Sequence, residues 1–241
     1  MNPILLIPAR MASTRLPGKV LADISGRAMI LRVWDRAMAA GLGPVVVAAG
    51  EPEIVAAVEA AGGQAVLTDP DLPSGSDRIF AALKVLDPDG RHDVVVNLQG
   101  DLPALEVAAL GAVVAALPGA DIATLAAEIT DPAERDNPAV VKAVVAWEPD
   151  GKKGRALYFT RSTAPSGEGP LFHHVGLYAY TRQALARFVC LPPSALEKRE
   201  KLEQLRALEA NMSIAVARVD SVPLSVDTPA DLAKANRLLK T

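Results

Sequence analysis

The first half of the chain alternates short apolar runs with stretches of helical spacing. Ile4–Ile7, Val45–Ala48, Ala65–Leu67 and Val94–Leu98 read as strands, and Ala28–Ala40, Pro52–Ala61 and Ser74–Leu86 between them read as helices. Val94–Leu98 is apolar on both faces. Continuous apolar strands separated by helices indicate a parallel sheet covered on both sides, and right-handed crossovers make an open doubly wound sheet the expected solution. The second half is more mixed. Ile122–Ala126, Val140–Ala146, Val175–Tyr180 and Ile214–Val219 have strand character, and a loop rich in Gly, Ser and Pro runs from Arg161 to Pro170. A polar helix is predicted over Leu196–Ala210. The last helix is announced by Thr228 at its N-cap, Pro229 at its first position and Asp231 at its third. No internal repeat or low-complexity linker interrupts the pattern. The expected fold class is α/β: a Rossmann-like, mostly parallel sheet with helices on both faces. A single domain over residues 1–241 would carry an inserted smaller β lobe at about 150–210.

Composition narrows the function classes. Half of the 241 residues are hydrophobic, enough for a large core. The net charge of −3 and the pI near 5.7 argue against a protein that coats nucleic acid, whose footprint is basic. Cys190 is the only cysteine and sits in an apolar run, which predicts a buried thiol acting as a small hydrophobe. The apolar segment Pro3–Ala9 precedes Arg10, Arg15 and Lys19, the reverse of a secretion signal. Ala37–Gly50 and Val107–Ala120 lack charge, but Gly and Pro break them and both are short of the ~18–20 residues that span a bilayer. A soluble, cytoplasmic protein without membrane or nucleic-acid partners is expected.

The candidate chemistry gathers where strands end. Ile7–Lys19 follows the first strand and supplies Arg10, Ser13, Thr14, Arg15 and Lys19. Loops at the carboxyl ends of parallel strands are where such sheets bind ligands. Arg forks onto two phosphate oxygens and Lys acts as a mobile point charge, so the loop suits a polyphosphate. It is neither a Walker loop, since Gly18-Lys19 is followed by Val20, nor the dinucleotide GxGxxG. A second polar turn, Gln99-Gly100-Asp101, closes the strand at Val94–Leu98. A carboxylate beside a triphosphate repels it unless a hard cation bridges them, and Mg²⁺ binds through one or two carboxylates plus substrate phosphates. Asp227 is the candidate second ligand. Ser74, Gly75, Asp77 and Arg78 form a third set: Ser74 and Asp77 suit a helix cap, and Gly75 and Arg78 suit contact with a base or sugar. Arg161, His174, Tyr178, Glu203 and Gln204 are polar groups able to recognise a carboxylated, hydroxyl-rich substrate.

With these stretches in view, the chain resembles the CMP-Kdo synthetases, the 3-deoxy-manno-octulosonate cytidylyltransferases, almost end to end. The likeness rests on Ile7–Lys19, Pro73–Arg78, Asn97–Pro103, Arg161, His174–Tyr180, Pro193–Glu209 and Val226–Leu232. The segment Leu202-Glu203-Gln204-Leu205-Arg206 separates it from the sialic acid cytidylyltransferases. The resemblance implies a nucleotide-diphospho-sugar transferase type of fold, a homodimer, and activated Kdo for lipopolysaccharide. It implies that Arg10, Ser13, Thr14, Arg15 and Lys19 hold the CTP phosphates, that Asp101 and Asp227 ligate magnesium, and that Ser74–Arg78 and Gln99 receive the cytidine. Arg161, His174, Tyr178, Glu203 and Gln204 would hold the sugar acid. Two departures stand out. Leu102 replaces the family's usual Glu, and Ala164-Pro165-Ser166-Gly167 lacks the aromatic residue that often follows that proline. They leave room for a related acid sugar, an 8-amino Kdo analogue or a nonulosonate; a non-catalytic nucleotide-binding regulator is the reading from another class.

Overall fold

The computed structural model describes residues 1–240. Its chain divides into two units, Met1–Gly111 joined by the segment from Pro223 onward, and Ala112–Val222. The second therefore begins well before the lobe expected at about 150.

Strand β1 (Pro3–Ala9) opens the first unit, followed by a single 3-10 turn at Lys19–Leu21 and a small hairpin, β2 (Asp23–Ile24) with β3 (Arg27–Ala28). Then come α1 (Met29–Ala39), β4 (Val45–Ala49), α2 (Pro52–Ala60), β5 (Gln64–Leu67), α3 (Gly75–Leu86) and β6 (Val94–Asn97). The strands lie in the order β5-β4-β1-β6, and each neighbouring pair is parallel. Leu5, Leu6 and Ile7 of β1 and Val95 and Val96 of β6 are wholly buried, as strands with two covered faces require. Helix α4 (Val107–Ala116) was not foreseen. It is apolar throughout, and its uniform hydrophobicity hides the helical period.

The second unit holds β7 (Ile122–Glu128), a short α5 (Pro132–Arg135), β8 (Lys142–Trp147), β9 (Lys153–Thr160), β10 (Phe172–Thr181), α6 (Arg182–Val189), α7 (Ala195–Glu200), α8 (Leu205–Glu209) and β11 (Ile214–Val219). Its strand order is β10-β7-β11-β9-β8, and β8 also meets β10 at His173 and Lys142. Only β7 and β11 run parallel; the other neighbours are antiparallel. A mostly parallel sheet thus describes the first unit and not the second. Two other expectations need correcting. Cys190 is exposed, because it caps the C-terminal end of α6 instead of continuing its buried face. The helix expected at Leu196–Ala210 is two helices, because Lys201 adopts a left-handed conformation (φ 58°) that ends α7.

The chain then returns to the first unit as α9 (Pro229–Leu238). Thr228 accepts from the Asp231 amide while Asp231 reaches back to the Thr228 amide, the reciprocal cap read from sequence. Leu232 and Leu239, with Leu16 and Leu224, pack on a buried cluster of Ile24, Met29, Val226 and Ala235. That cluster fastens the last segment to the hairpin and to the loop after β1, which fixes the place of Asp227.

Candidate active site

The first unit's strands end at one rim. Arg10 follows β1, Gly50 and Glu51 follow β4, and Gln99–Asp101 follow β6. Close approach of these turns needs residues without side chains. A Cβ on Gly100 would lie 2.9 Å from the Pro8 carbonyl oxygen, and one on Gly75 would lie 3.3 Å from Pro8 Cγ. The result is a cavity of about 680 Å3, within the ~300–1,000 Å3 of small-molecule sites. Arg10, Ser13, Thr14, Arg15, Lys19, Ser74, Gly75, Arg78, Gln99 and Asp101 all line it.

The two carboxylates singled out from sequence converge on one point. Lys19 Nζ donates to Asp101 Oδ2 at 2.8 Å, to Asp227 Oδ1 at 2.9 Å and to the Val226 carbonyl at 3.3 Å. Arg15 approaches the same Asp227 oxygen at 2.9 Å. Burial alone would lower the Lys19 pKa, but Asp101 and Asp227 outweigh it and hold the ammonium above its usual value. The main chain reinforces the meeting, since the Val226 amide donates to the Asp101 carbonyl at 2.9 Å. The donor set is two hard carboxylate oxygens gathered around a positive charge, which fits Mg²⁺ held jointly with substrate phosphates. No cluster of three or more His, Cys, Asp or Glu that could hold a metal occurs among the described residues.

Two members of the third set are engaged in holding structure. Asp77 is absent from the cavity lining: its carboxylate accepts from Ser74 Oγ at 2.7 Å within the cap of α3. Arg78 borders the cavity yet is only 2% exposed. Its guanidinium donates to Thr68 Oγ1 (2.6 Å) and to the Asp69 and Pro70 carbonyls (3.0 and 3.1 Å), bracing the loop after β5. Leu102, next to Asp101, is 6% exposed and points its side chain into packing.

In the second unit, His174, Tyr178, Glu203 and Gln204 lie close together. The Thr124 hydroxyl has the Val175 and Leu177 carbonyls as acceptors at 3.1 and 3.0 Å, so its oxygen receives the His174 Nε2–H at 3.0 Å. His174 Nδ1 is then left to accept from Gln204 Nε2 at 3.4 Å. The imidazole is flanked by Phe159 (4.7 Å between centroids) and Tyr178 (5.6 Å). Burial, with a smaller push from His173, takes its pKa down to about 3, so the ring is neutral. Burial, then Tyr180 and Glu203, raise the Tyr178 hydroxyl well above its ordinary value, and it stays protonated. Arg161 acts as a clamp. Its side chain donates to the carbonyls of Glu200 (2.9 Å) and Pro138 (3.0 Å), and its amide to the Glu200 carboxylate (3.0 Å).

A family model described as cytidylyltransferase matches residues 4–214. A 3-deoxy-manno-octulosonate cytidylyltransferase of Parvibaculum lavamentivorans is 66% identical over 240 residues, covering 99% of this chain and 93% of that one. The chain belongs to the 3-deoxy-manno-octulosonate cytidylyltransferase family. A protein of the same name in Paramagnetospirillum magneticum is 61% identical over 242 residues, covering 100% and 98%. Among solved structures, CMP:2-keto-3-deoxy-manno-octonic acid synthetase complexed with CTP superimposes with a TM-score of 0.91 at 37% identity, covering 99% of this chain and 98% of that one. The mixed α/β architecture is thus the family's.

Within this cytidylyltransferase, two supporting residues escaped the sequence reading. Glu51 Oε2 accepts from the Met11 amide at 2.8 Å and ties the cationic loop to the end of β4. A polar residue just past a strand's carboxyl end was the available signal. Lys142, fully buried in β8, donates to the Asn137 and Val140 carbonyls at 2.7 and 2.9 Å. Nothing in an apolar strand pattern distinguishes such a lysine from an exposed one.

Proposed function

We propose that this protein transfers CMP from CTP to 3-deoxy-manno-octulosonate, releasing pyrophosphate and supplying activated Kdo for lipopolysaccharide. The convergence of Asp227 on Asp101, which lines a nucleotide-sized cavity with the cationic loop, carries the reading; high identity to 3-deoxy-manno-octulosonate cytidylyltransferases supports it. We read the four parallel strands of the first unit as a Rossmann-like frame whose carboxyl rim receives the nucleotide. The reaction is an in-line attack by the sugar's anomeric hydroxyl on the α-phosphorus. The P–O bond to pyrophosphate breaks as the new one forms, and the hydroxyl's proton passes to solvent water.

The residues act mainly by positioning and charge. Arg10, Ser13 and Thr14 grip phosphate oxygens, and Arg15 and Lys19 meet the charge that gathers on the departing pyrophosphate. Gln99, Ser74 and Gly75 flank the cytidine; Asp77 and Arg78 hold its wall in place. Neutral His174, with its tautomer fixed, Tyr178, Glu203 and Gln204 face the sugar acid, and Arg161 sets the Glu200–Lys201 turn next to them in sequence. Mg²⁺ held by Asp101 and Asp227 would neutralise charge at the α-phosphate and make the attacking hydroxyl more acidic. A cytoplasmic homodimer is the expected setting. No helix among the described residues is long and apolar enough to cross a membrane. The test is pyrophosphate release from CTP and Mg²⁺ with Kdo, an 8-amino analogue and a nonulosonate. Kdo should give the highest kcat/KM. Nucleotide binding without release from any of the three would reject the proposal.

A further inference from the structure

Lys19 stands between the two carboxylates read as the metal's ligands. Asp101 Oδ2, Asp227 Oδ1 and the Val226 carbonyl, within 3.3 Å, take up all three ammonium protons. The Lys19 side chain is only 15% exposed, so these charge-assisted bonds are partly shielded from water. Arg15 adds a second cation to the same Asp227 oxygen at 2.9 Å. A Mg²⁺ ion needs its oxygens at about 2.0–2.1 Å. An ammonium at hydrogen-bond distance from both carboxylates occupies the same space and repels it. Ion and ammonium therefore exclude each other.

The same two cations line the nucleotide cavity. A triphosphate entering there offers Lys19 and Arg15 new anionic oxygens, and a flexible lysine stem can follow them. We infer that Lys19, assisted by Arg15, is a built-in counterion that closes the metal site until a nucleoside triphosphate draws it away. The inference rests on the reading of Asp101 and Asp227 as the metal's ligands. It makes metal and nucleotide mutually dependent: what CTP does to metal affinity, the metal does equally to CTP affinity. Lys19 also offsets the mutual repulsion of the two carboxylates.

The test is Mn²⁺ binding to the nucleotide-free protein, followed by the loss of the free-ion signal in electron paramagnetic resonance. Wild type, Lys19→Met, Asp101→Asn and the Lys19→Met/Asp101→Asn double variant are compared, with thermal melts to verify folding. Lys19→Met should bind Mn²⁺ about tenfold or more tighter than wild type, and the added Asp101→Asn should remove that gain. Equal affinity in wild type and Lys19→Met overturns the counterion role, while the carboxylate reading survives provided Asp101→Asn still weakens what binding there is. Tighter binding in Lys19→Met that Asp101→Asn does not diminish overturns the carboxylate reading itself, and the inference with it. Should Lys19→Met fail to fold, Lys19→Gln preserves polarity and hydrogen bonding and makes the same comparison.

Discussion

The two units of this molecule use polar side chains in opposite ways. In the first, the candidate chemistry sits on loops beyond the ends of parallel strands, where Arg10 and Arg15 are exposed and Lys19 and Asp101 are largely covered without being fully buried. In the second, the polar residues are mounted within or against the sheet. Thr124, His174 and Gln204 are buried and bonded to one another. A phosphate chain carries dense charge and can be met by mobile cations at a rim. On the proposed reading the second unit meets a sugar acid, whose hydroxyls and carboxylate demand fixed partners, and a buried bonded network holds such groups still. The difference teaches that exposed rim residues such as Arg10 and Arg15 can be changed at the expense of activity alone, whereas buried, bonded ones, Arg78 in the first unit and Thr124, His174 and Gln204 in the second, also carry stability.

Asp101→Asn is the sharpest way to break that contrast. Removing one preorganised charge costs on the order of 10² to 10³ in kcat, read as pyrophosphate release. The melting temperature should move by less than about 3 °C, the equivalent of ~1 kcal/mol at this chain length. A variant that loses activity only because it has unfolded would put Asp101 on the structural side of the comparison.

Gly100→Ala should have an intermediate effect. The new Cβ would meet the Pro8 carbonyl oxygen at 2.9 Å, backbone that cannot swing aside. Overpacking of this kind costs about 1–3 kcal/mol, and the displaced β1 end should raise KM for CTP more than it lowers kcat. An unchanged KM would mean that the rim tolerates movement.

The smallest expected effect sharpens the second unit's side. Unfolded, His174 titrates near 6.5, while in the folded protein burial holds it at about 3. Between those values the unfolded chain binds more protons, so stability falls as pH drops from 6.5 toward 3. His174→Asn removes this titration. The urea midpoint of the variant should therefore decline less steeply with falling pH than that of wild type, whatever its level at neutral pH. Equal slopes would show that another group carries the acid sensitivity.

Legibility followed the same division. The β1, β4 and β6 strands and the helices α1 to α3 could be read because apolar runs and helical spacing are local signals, and the cap of α9 because Thr228, Pro229 and Asp231 are adjacent in sequence. Strand β9 escaped because Lys153 and Arg155 alternate with small residues, and α6 because its eight residues offer only three buried positions, Ala184, Leu185 and Phe188, too few to mark a period. The break at Lys201 depends on one backbone angle that no pattern of polarity encodes. Arg78 illustrates the limit at the site: its type suggested a ligand, but only three oxygens brought up by the loop after β5 reveal where its charge is spent.

Sequence alone determined the apolar framework of the first unit, the cationic loop after β1 and the residue types able to handle a triphosphate, since each is written in neighbouring residues. Tertiary structure decided that Asp101 and Asp227 meet, and that Lys19 stands between them. That meeting depends on Leu232 and Ala235 of α9 packing with Val226 beside the β2–β3 hairpin. Contacts between residues more than two hundred positions apart are set by burial of a shared core, which no local pattern records.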